Sequence, residues 1–320
     1  MQSDSNKKHS RFVNPRRTRL APSPTGALHL GNIFSFLITW AIAKQHNWEV
    51  LLRIEDIDGP RKKTGAAKEM LEIFKWIGLH WDGDAHIQSS GFNSMRCTLD
   101  SLIEQNLAYH CTLTRKEIED SRSAPHELKN QSMPPYRPPH IRKHNAEKNN
   151  QPTNWRFTSS LQTEHIKDEL LGIKPFKPSD DFVLWTKDDA PSYQLAVVCD
   201  DHAQKVTDVI RGNDLLQSAS WQDQLYRAMG WEPPNWYHLP LIIGNDGKRL
   251  AKRHGDSRIS TFRNQNVAPE RIIGLMAKWA GNRQPLTSST AQDFLQDFDL
   301  KNIPTENIVY TPEEEQWLYA

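Results

Sequence analysis

Apolar and polar positions fall into two ordered blocks separated by a stretch of different texture. From Arg17 to about Leu107, strand-like and helix-like runs alternate. A first strand ends near Leu20, and a Pro/Gly-rich loop, Ala21 to Gly26, follows it. The apolar run Ile33–Ala43 predicts a buried helix, and Glu49–Ile54 predicts a second strand. Thr64–Ile77 has the spacing of an amphipathic helix. Thr98–Leu107 has it too, closing at Ala108-Tyr109. Residues 121–153 are polar and proline-rich, with Pro134-Pro135-Tyr136-Arg137-Pro138-Pro139 at their centre, and read as loop or irregular insertion. Strand character resumes at Trp155-Arg156-Phe157 and at Phe182–Thr186. In the second block Tyr193–Cys199 predicts a buried strand and Asp208–Gly212 another. Asp214–Met229 predicts a helix and Leu239–Ile243 a strand. A basic loop, Gly247–Gly255, comes next, then a short helix over Pro269–Ala280 with little after it.

Two sheet-forming blocks, 17–107 and 191–245, predict one α/β nucleotide-binding fold interrupted by an insertion. The expected organisation is a basic flexible tail (1–16), a first half (17–108), an inserted subdomain (109–190), a second half (191–255) and a short helical C-terminal segment (256–320). Strand, loop, helix, strand is the opening unit of such a sheet. A helix N-terminus offers unpaired N–H groups and a partial positive charge to a phosphate. His29, Gly31 and Asn32 stand at that helix start. Their spacing alone is equally that of an ordinary βα turn holding a histidine.

Net charge is +1, so nothing in the totals marks a nucleic-acid partner. The sign is uneven locally. Lys7, Lys8, Arg11, Arg16, Arg17 and Arg19 crowd the start against Asp4 alone, and Glu313, Glu314 and Glu315 lie near the end. Such an arm either touches RNA or is merely solvated. Three widely spaced cysteines, Cys97, Cys111 and Cys199, without an apolar leader predict a reducing, cytoplasmic setting. No run of about eighteen apolar residues predicts a membrane span.

Lys248, Arg249, Lys252 and Arg253 cluster between two glycines. Alone they read as a solvated loop. With a phosphate-type helix start upstream, they read as cations that close over a polyphosphate. Arg19, Glu55, Tyr193 and Arg211 all fall at predicted strand ends, where the ligand crevice of such a sheet opens. Two arginines and a tyrosine can hold a carboxylate, and a glutamate can hold an ammonium.

Five segments in order carry a resemblance: Arg19-Leu20-Ala21-Pro22-Ser23-Pro24-Thr25-Gly26 with His29-Leu30-Gly31-Asn32; Arg53-Ile54-Glu55-Asp56-Ile57-Asp58; Tyr193 to Asp201; Arg211-Gly212-Asn213-Asp214-Leu215-Leu216; and Lys248 to Arg253. Across about residues 17–255 the chain resembles class I glutamyl-tRNA synthetases. The resemblance implies a Rossmann-like catalytic domain with an inserted acceptor-type subdomain. It places His29–Asn32 on the HIGH motif and Arg249–Arg253 on the KMSKS motif. It implies ATP with Mg²⁺, held by His29, Gly31, Asn32, Arg249 and Lys252, with His29, Asn32 and Lys252 assisting attack of the amino-acid carboxylate. Arg19, Ser23, Glu55, Tyr193 and Arg211 would contact L-glutamate. A buried Arg211 guanidinium needs an anion, so glutamate is expected rather than glutamine.

About 65 residues follow Gly255, fewer than the helical anticodon-binding domains of the full-length family need. In this the chain is similar to a short branch of the family. For that branch the resemblance implies transfer of glutamate to queuosine at the wobble position of the tRNA(Asp) anticodon stem-loop, by a monomer. The family's zinc site is degenerate: Cys111 is kept, Leu113 replaces a cysteine, Tyr136 is kept and His140 replaces the last cysteine. Three ligands are short of the usual four, so no stable zinc is expected. Ala251 stands where serine is common, which removes no charge. The alternatives are a truncated enzyme charging tRNA(Glu) or another acceptor, a non-catalytic RNA-binding paralogue, and a different nucleotidyl transferase.

Overall fold

The computed structural model describes residues 15–24, 27–57, 65–112, 153–177, 181–248, 250, 257–282 and 285–320. The first block forms a parallel sheet of β1 (Arg17–Leu20), β2 (Glu49–Ile54) and β3 (His86–Ile87), in the order β1-β2-β3. Arg19 pairs with Leu51 and Arg53 with His86. Three helices accompany these strands: α1 (Leu30–Gln45), α2 (Ala66–Ile77) and α3 (Phe92–Glu104). The inserted segment begins with β4 (Ala108–Cys111), β5 (Asn154–Phe157), β6 (Glu164–Asp168), β7 (Gly172–Phe176) and β8 (Phe182–Trp185). Strands β4, β5 and β8 make a small antiparallel sheet.

The second block contributes α4 (Tyr193–Ala203), β9 (Asp208–Gly212), α5 (Leu216–Ala228), β10 (Asn235–Leu239) and β11 (Ile242–Ile243). β9 and β10 are parallel, with Arg211 opposite His238. The start of β9 is tied to β1: Thr207 donates its N–H to the Arg17 carbonyl at 2.9 Å, and its Oγ1 accepts the Arg17 N–H at 2.8 Å. Sequence therefore runs outward from β1 to β3 on one side and from β9 to β10 on the other. β6 joins β10 in parallel and β7 closes the edge, so the inserted segment also extends this sheet. A reversal of strand order between β1 and β9 is where ligand crevices of Rossmann-like sheets open.

Two regions differ from the sequence reading. Tyr193–Cys199 is the start of helix α4, not a strand. Every residue from Leu195 to Asp201 is buried, and a helix apolar on all sides shows no 3.6-residue stripe. Ser192 caps it, accepting the Leu195 N–H at 3.4 Å. The expected strand Leu239–Ile243 is split into β10 and β11 around Pro240, which lacks a ladder donor.

The C-terminal segment holds far more than one helix: α6 (Ile259–Asn264), α7 (Pro269–Trp279), α8 (Ala291–Asp297), β12 (Ile308–Val309) and α9 (Pro312–Tyr319). Its Phe262, Ile273, Trp279 and Phe294 share one core with Ile33, Phe34 and Leu37 of α1. β12 pairs with β11, Ile242 against Ile308. A second core, around Leu99, Leu184, Val198 and Trp236, packs α3, α4 and the inserted strands together.

Three of the N-terminal basic residues are fixed by ion pairs. Arg16 pairs with Asp208 and lies over the Trp48 ring at 4.0 Å. Arg17 pairs with Glu49 at 2.6 Å, and Arg19 with Asp201 at 3.2 Å. Lys7, Lys8 and Arg11 lie outside the described residues.

Candidate active site

A cavity of about 510 Å³ opens at the C-terminal ends of β1 and β9. Arg19, Ser23, Glu55, Tyr193 and Arg211 all line it, together with His29, Gly31 and Asn32. Residues more than 190 positions apart in sequence thus share one wall. Arg249 and Lys252 lie outside the described residues, as do Thr25, Gly26, Tyr136 and His140.

The amino-acid end of the cavity is built on fixed charge. Arg19 follows from the strand register: it is buried, and its Nε–H donates to Asp201 Oδ1 at 3.2 Å. Asp201 lies two turns along α4 from Tyr193, and it also accepts Arg53 Nη1 at 2.6 Å. Arg53 is fully buried on β2 and reaches Glu55 Oε1 with Nη2 at 3.1 Å and Gln204 Oε1 with Nη1 at 2.9 Å. Burial alone would raise the Asp201 pKa, but Arg53 and Arg19 hold it below the ordinary carboxylate value. Glu55 ends higher than usual, because burial outweighs the same two arginines. Burial also raises the Tyr193 phenol, so it stands in the cavity as a neutral hydroxyl.

Arg211 is held from three sides. Its Nε–H donates to His238 Nε2 at 3.1 Å, Nη1 to Gln222 Oε1 at 2.9 Å and Nη2 to the Leu215 carbonyl at 3.2 Å. Its guanidinium carbon sits 4.8 Å from the Trp236 ring centroid. A guanidinium has five N–H donors; these three are fixed by the protein, and the Tyr193 hydroxyl that lines the cavity hydrogen-bonds the same group. No carboxylate pairs with it among the described residues, a costly state for a buried cation unless a ligand supplies the anion.

The phosphate end is the start of α1. His29 is the N-cap, and Asn32 Oδ1 accepts the His29 N–H at 3.0 Å. Asn32 thereby fixes the cap as well as facing the cavity. His29 Nδ1 lies 3.3 Å from Ser257 Oγ. A Cβ on Gly31 would meet Ile242 only at an ordinary 3.7 Å, so protein packing does not demand glycine there.

Described residues within and just beyond the basic loop are held at the cavity. Leu250 lines the cavity and donates its N–H to the Ile242 carbonyl at 3.4 Å. Beyond the loop, the Ser257 carbonyl accepts the Leu30 N–H at 3.1 Å, and Ile259 donates to the Leu28 carbonyl at 2.9 Å.

Residues 16–310 match the family described as tRNA synthetases class I (E and Q), catalytic domain. The chain belongs to this family. The synthetase is 40% identical over 277 residues to the glutamyl-Q tRNA(Asp) synthetase of Rhodopirellula baltica, covering 82% of this chain and 84% of that one. It is 34% identical to the glutamate–tRNA ligase of Dichelobacter nodosus, over 94% of this chain but only 65% of the relative. Among solved structures, a glutamate tRNA ligase from Elizabethkingia meningosepticum in complex with its amino acid superposes with a TM-score of 0.79 at 26% identity, covering 95% of this chain and 69% of that one. These relationships support glutamate activation and tRNA glutamylation as the synthetase's chemistry.

Sequence reasoning missed the supporting residues Arg53, Asp201, His238 and Asp168, and the cavity-lining Asp214. Arg53 and His238 did leave a signal: each is a polar residue inside an otherwise apolar strand. Cys111 is buried on β4; the other degenerate zinc positions are outside the described residues. No described helix is long and apolar enough to cross a membrane.

Proposed function

We propose that this synthetase condenses L-glutamate with ATP to glutamyl-adenylate and passes the glutamyl group to queuosine at the wobble position of tRNA(Asp). In the first step an α-carboxylate oxygen of glutamate attacks the α-phosphorus and pyrophosphate leaves. In the second an acceptor nucleophile attacks the acyl carbon and AMP leaves. The observation that carries the first step is the cavity itself, which joins two held arginines and Glu55 to the N-terminus of α1. Glu55 suits the substrate ammonium. Arg19, Ser23, Tyr193 and Arg211 suit its carboxylates, with Arg211 selecting glutamate over the neutral glutamine amide. His29, Gly31 and Asn32 suit the phosphates, with Arg249 and Lys252 assigned to them by the motif and Mg²⁺ accompanying the ATP.

The queuosine acceptor rests on the 40% identity to the Rhodopirellula protein, spread over comparable shares of both chains. The matches to glutamate–tRNA ligases favour a second reading, charging of tRNA(Glu). The two are separated by offering labelled glutamate to queuosine-containing tRNA(Asp), queuosine-free tRNA(Asp) and tRNA(Glu). Label is expected on the first alone; label on tRNA(Glu) alone replaces the queuosine reading. Glutamate-dependent exchange of pyrophosphate into ATP is expected without any tRNA, and R211A is expected to abolish it.

A further inference from the structure

Behind Arg211 lies a buried chain of polar groups that the proposed chemistry does not use. Arg211 and His238 are register partners on the adjacent parallel strands β9 and β10, which brings them side by side. His238 Nε2 accepts the Arg211 Nε–H at 3.1 Å, and His238 Nδ1 lies 2.6 Å from Asp168 Oδ2. With Nε2 accepting from Arg211, the ring proton sits on Nδ1 and is donated to Asp168; the Leu215 carbonyl, which also borders the ring, accepts Arg211 Nη2. The side chains of His238 and Asp168 are both 0% exposed. Asp168 ends β6, in the inserted segment, and is itself fixed: its Oδ1 accepts the Leu170 N–H at 3.0 Å and the Leu171 N–H at 2.7 Å.

We propose that Asp168 and His238 are positioning residues for substrate recognition: Asp168 sets the His238 tautomer, and His238 in turn fixes the Arg211 guanidinium so that its terminal N–H groups face the side-chain carboxylate of glutamate. This deepens, and rests on, the glutamate reading of the cavity. The geometry makes a specific demand on Asp168. In D168N the amide oxygen stays on the two backbone N–H groups, which turns the amide NH₂ toward His238 Nδ1. His238 must then carry its proton on Nε2, toward the Leu215 carbonyl, and can no longer accept the Arg211 Nε–H. The fold loses one buried hydrogen bond, but the guanidinium loses its aim, and small misplacements of binding groups carry large kinetic costs. A purely structural pair would instead weaken glutamate and ATP together, or neither.

The test is glutamate-dependent ATP–pyrophosphate exchange by the full chain, with KM for glutamate and for ATP measured separately. D168N is expected to raise the glutamate KM by about 10- to 100-fold, with the ATP KM within about twofold. H238L is expected to show the same split, whereas H238Q, which keeps an acceptor near the Nε2 position, is expected to restore most of the glutamate affinity. The leucine–glutamine pair also decides the matter if D168N does not fold. An unchanged glutamate KM, equal rises in both KM values, or an H238Q no better than H238L would overturn the proposal. A wild-type chain that binds ATP but shows no glutamate-dependent exchange would overturn the glutamate reading itself, a result distinct from each of these.

Discussion

Three buried or nearly buried arginines, Arg19, Arg53 and Arg211, stand within one polar set at the cavity floor. Two of them have their anion in Asp201, and the third has none among the described residues. Removing one partner from a buried pair leaves an uncompensated charge, at a cost of about 3–5 kcal/mol. D201N is therefore expected to lower unfolding stability by about that amount in urea, and to raise the glutamate KM through the loss of Arg19 alignment. The same groups set a pH dependence. Asp201 has a depressed pKa, so its contribution is present above the unfolded carboxylate value near 3.9 and is lost as pH falls below it. Burial holds His238 below its ordinary 6.5 against the opposing Asp168 hydrogen bond, and the Arg211 charge adds to the lowering. An unfolded chain then binds a proton that the folded chain refuses, so stability falls as pH drops through about 6.5. Urea titrations from pH 8 to 5 are expected to show this slope. H238Q should flatten it in part, leaving the share of His110 and His202, which burial also lowers. An H238Q slope equal to the wild type would refute the assignment.

At the scale of elements, legibility followed how one-sided each element's surroundings are. α2 shows its stripe because it buries only Met70, Ile73, Phe74 and Ile77, and its predicted end at Ile77 holds. β1, β2 and β9 are short strands bounded by turns, and the structure has them where the sequence predicts them. α4 departs from its prediction, because its continuous burial erased the period that separates helix from strand. Tyr193 still reached the cavity, since the first residue of that helix occupies the place expected for the start of a strand. The C-terminal segment was under-read for another reason. Its α8 and α9 are short, so propensity over a long window says little, and their starts are set by caps. Thr290 and Thr311 each accept the N–H three residues on, from Asp293 and Glu314. Glu314 is also buried and accepts Lys278 Nζ at 2.8 Å and Trp279 Nε1 at 3.1 Å, pinning α9 to α7. T311A is expected to cost about 1 kcal/mol. E314A is expected to cost about 1–3 kcal/mol, since it strands the buried Trp279 N–H. Thermal unfolding ranks the two, and a larger loss in T311A would contradict the pinning role of Glu314.

Across the whole molecule, the five sequence segments that carry the family resemblance converge because the chain crosses the sheet twice, outward from β1 and outward from β9. No local pattern encodes that convergence; it follows from strand order, and the buried network of Arg19, Arg53 and Asp201 is legible only once the order is known. The cavity is walled by β1, α1 and the end of β2 from one block and by α4, β9 and β11 from the other. The C-terminal segment is knitted to the same place through the bonds of Leu28 and Leu30 to Ile259 and Ser257. A ligand in the cavity therefore touches parts of the chain that come together only in the folded state, and binding must add to global stability. At a glutamate concentration about 100 times its Kd the gain is about 2.7 kcal/mol. For a chain of this size that is a rise in Tm of about 4 °C, at about 1.5 °C per kcal/mol. ATP is expected to give its own shift, because it would engage the α1 end rather than Arg211. R211A is then expected to lose the glutamate shift and keep the ATP shift, as read by thermal unfolding with each ligand alone. Loss of both shifts would mean that Arg211 holds the fold rather than the amino acid. Retention of both would mean that the carboxylate is bound elsewhere in the cavity.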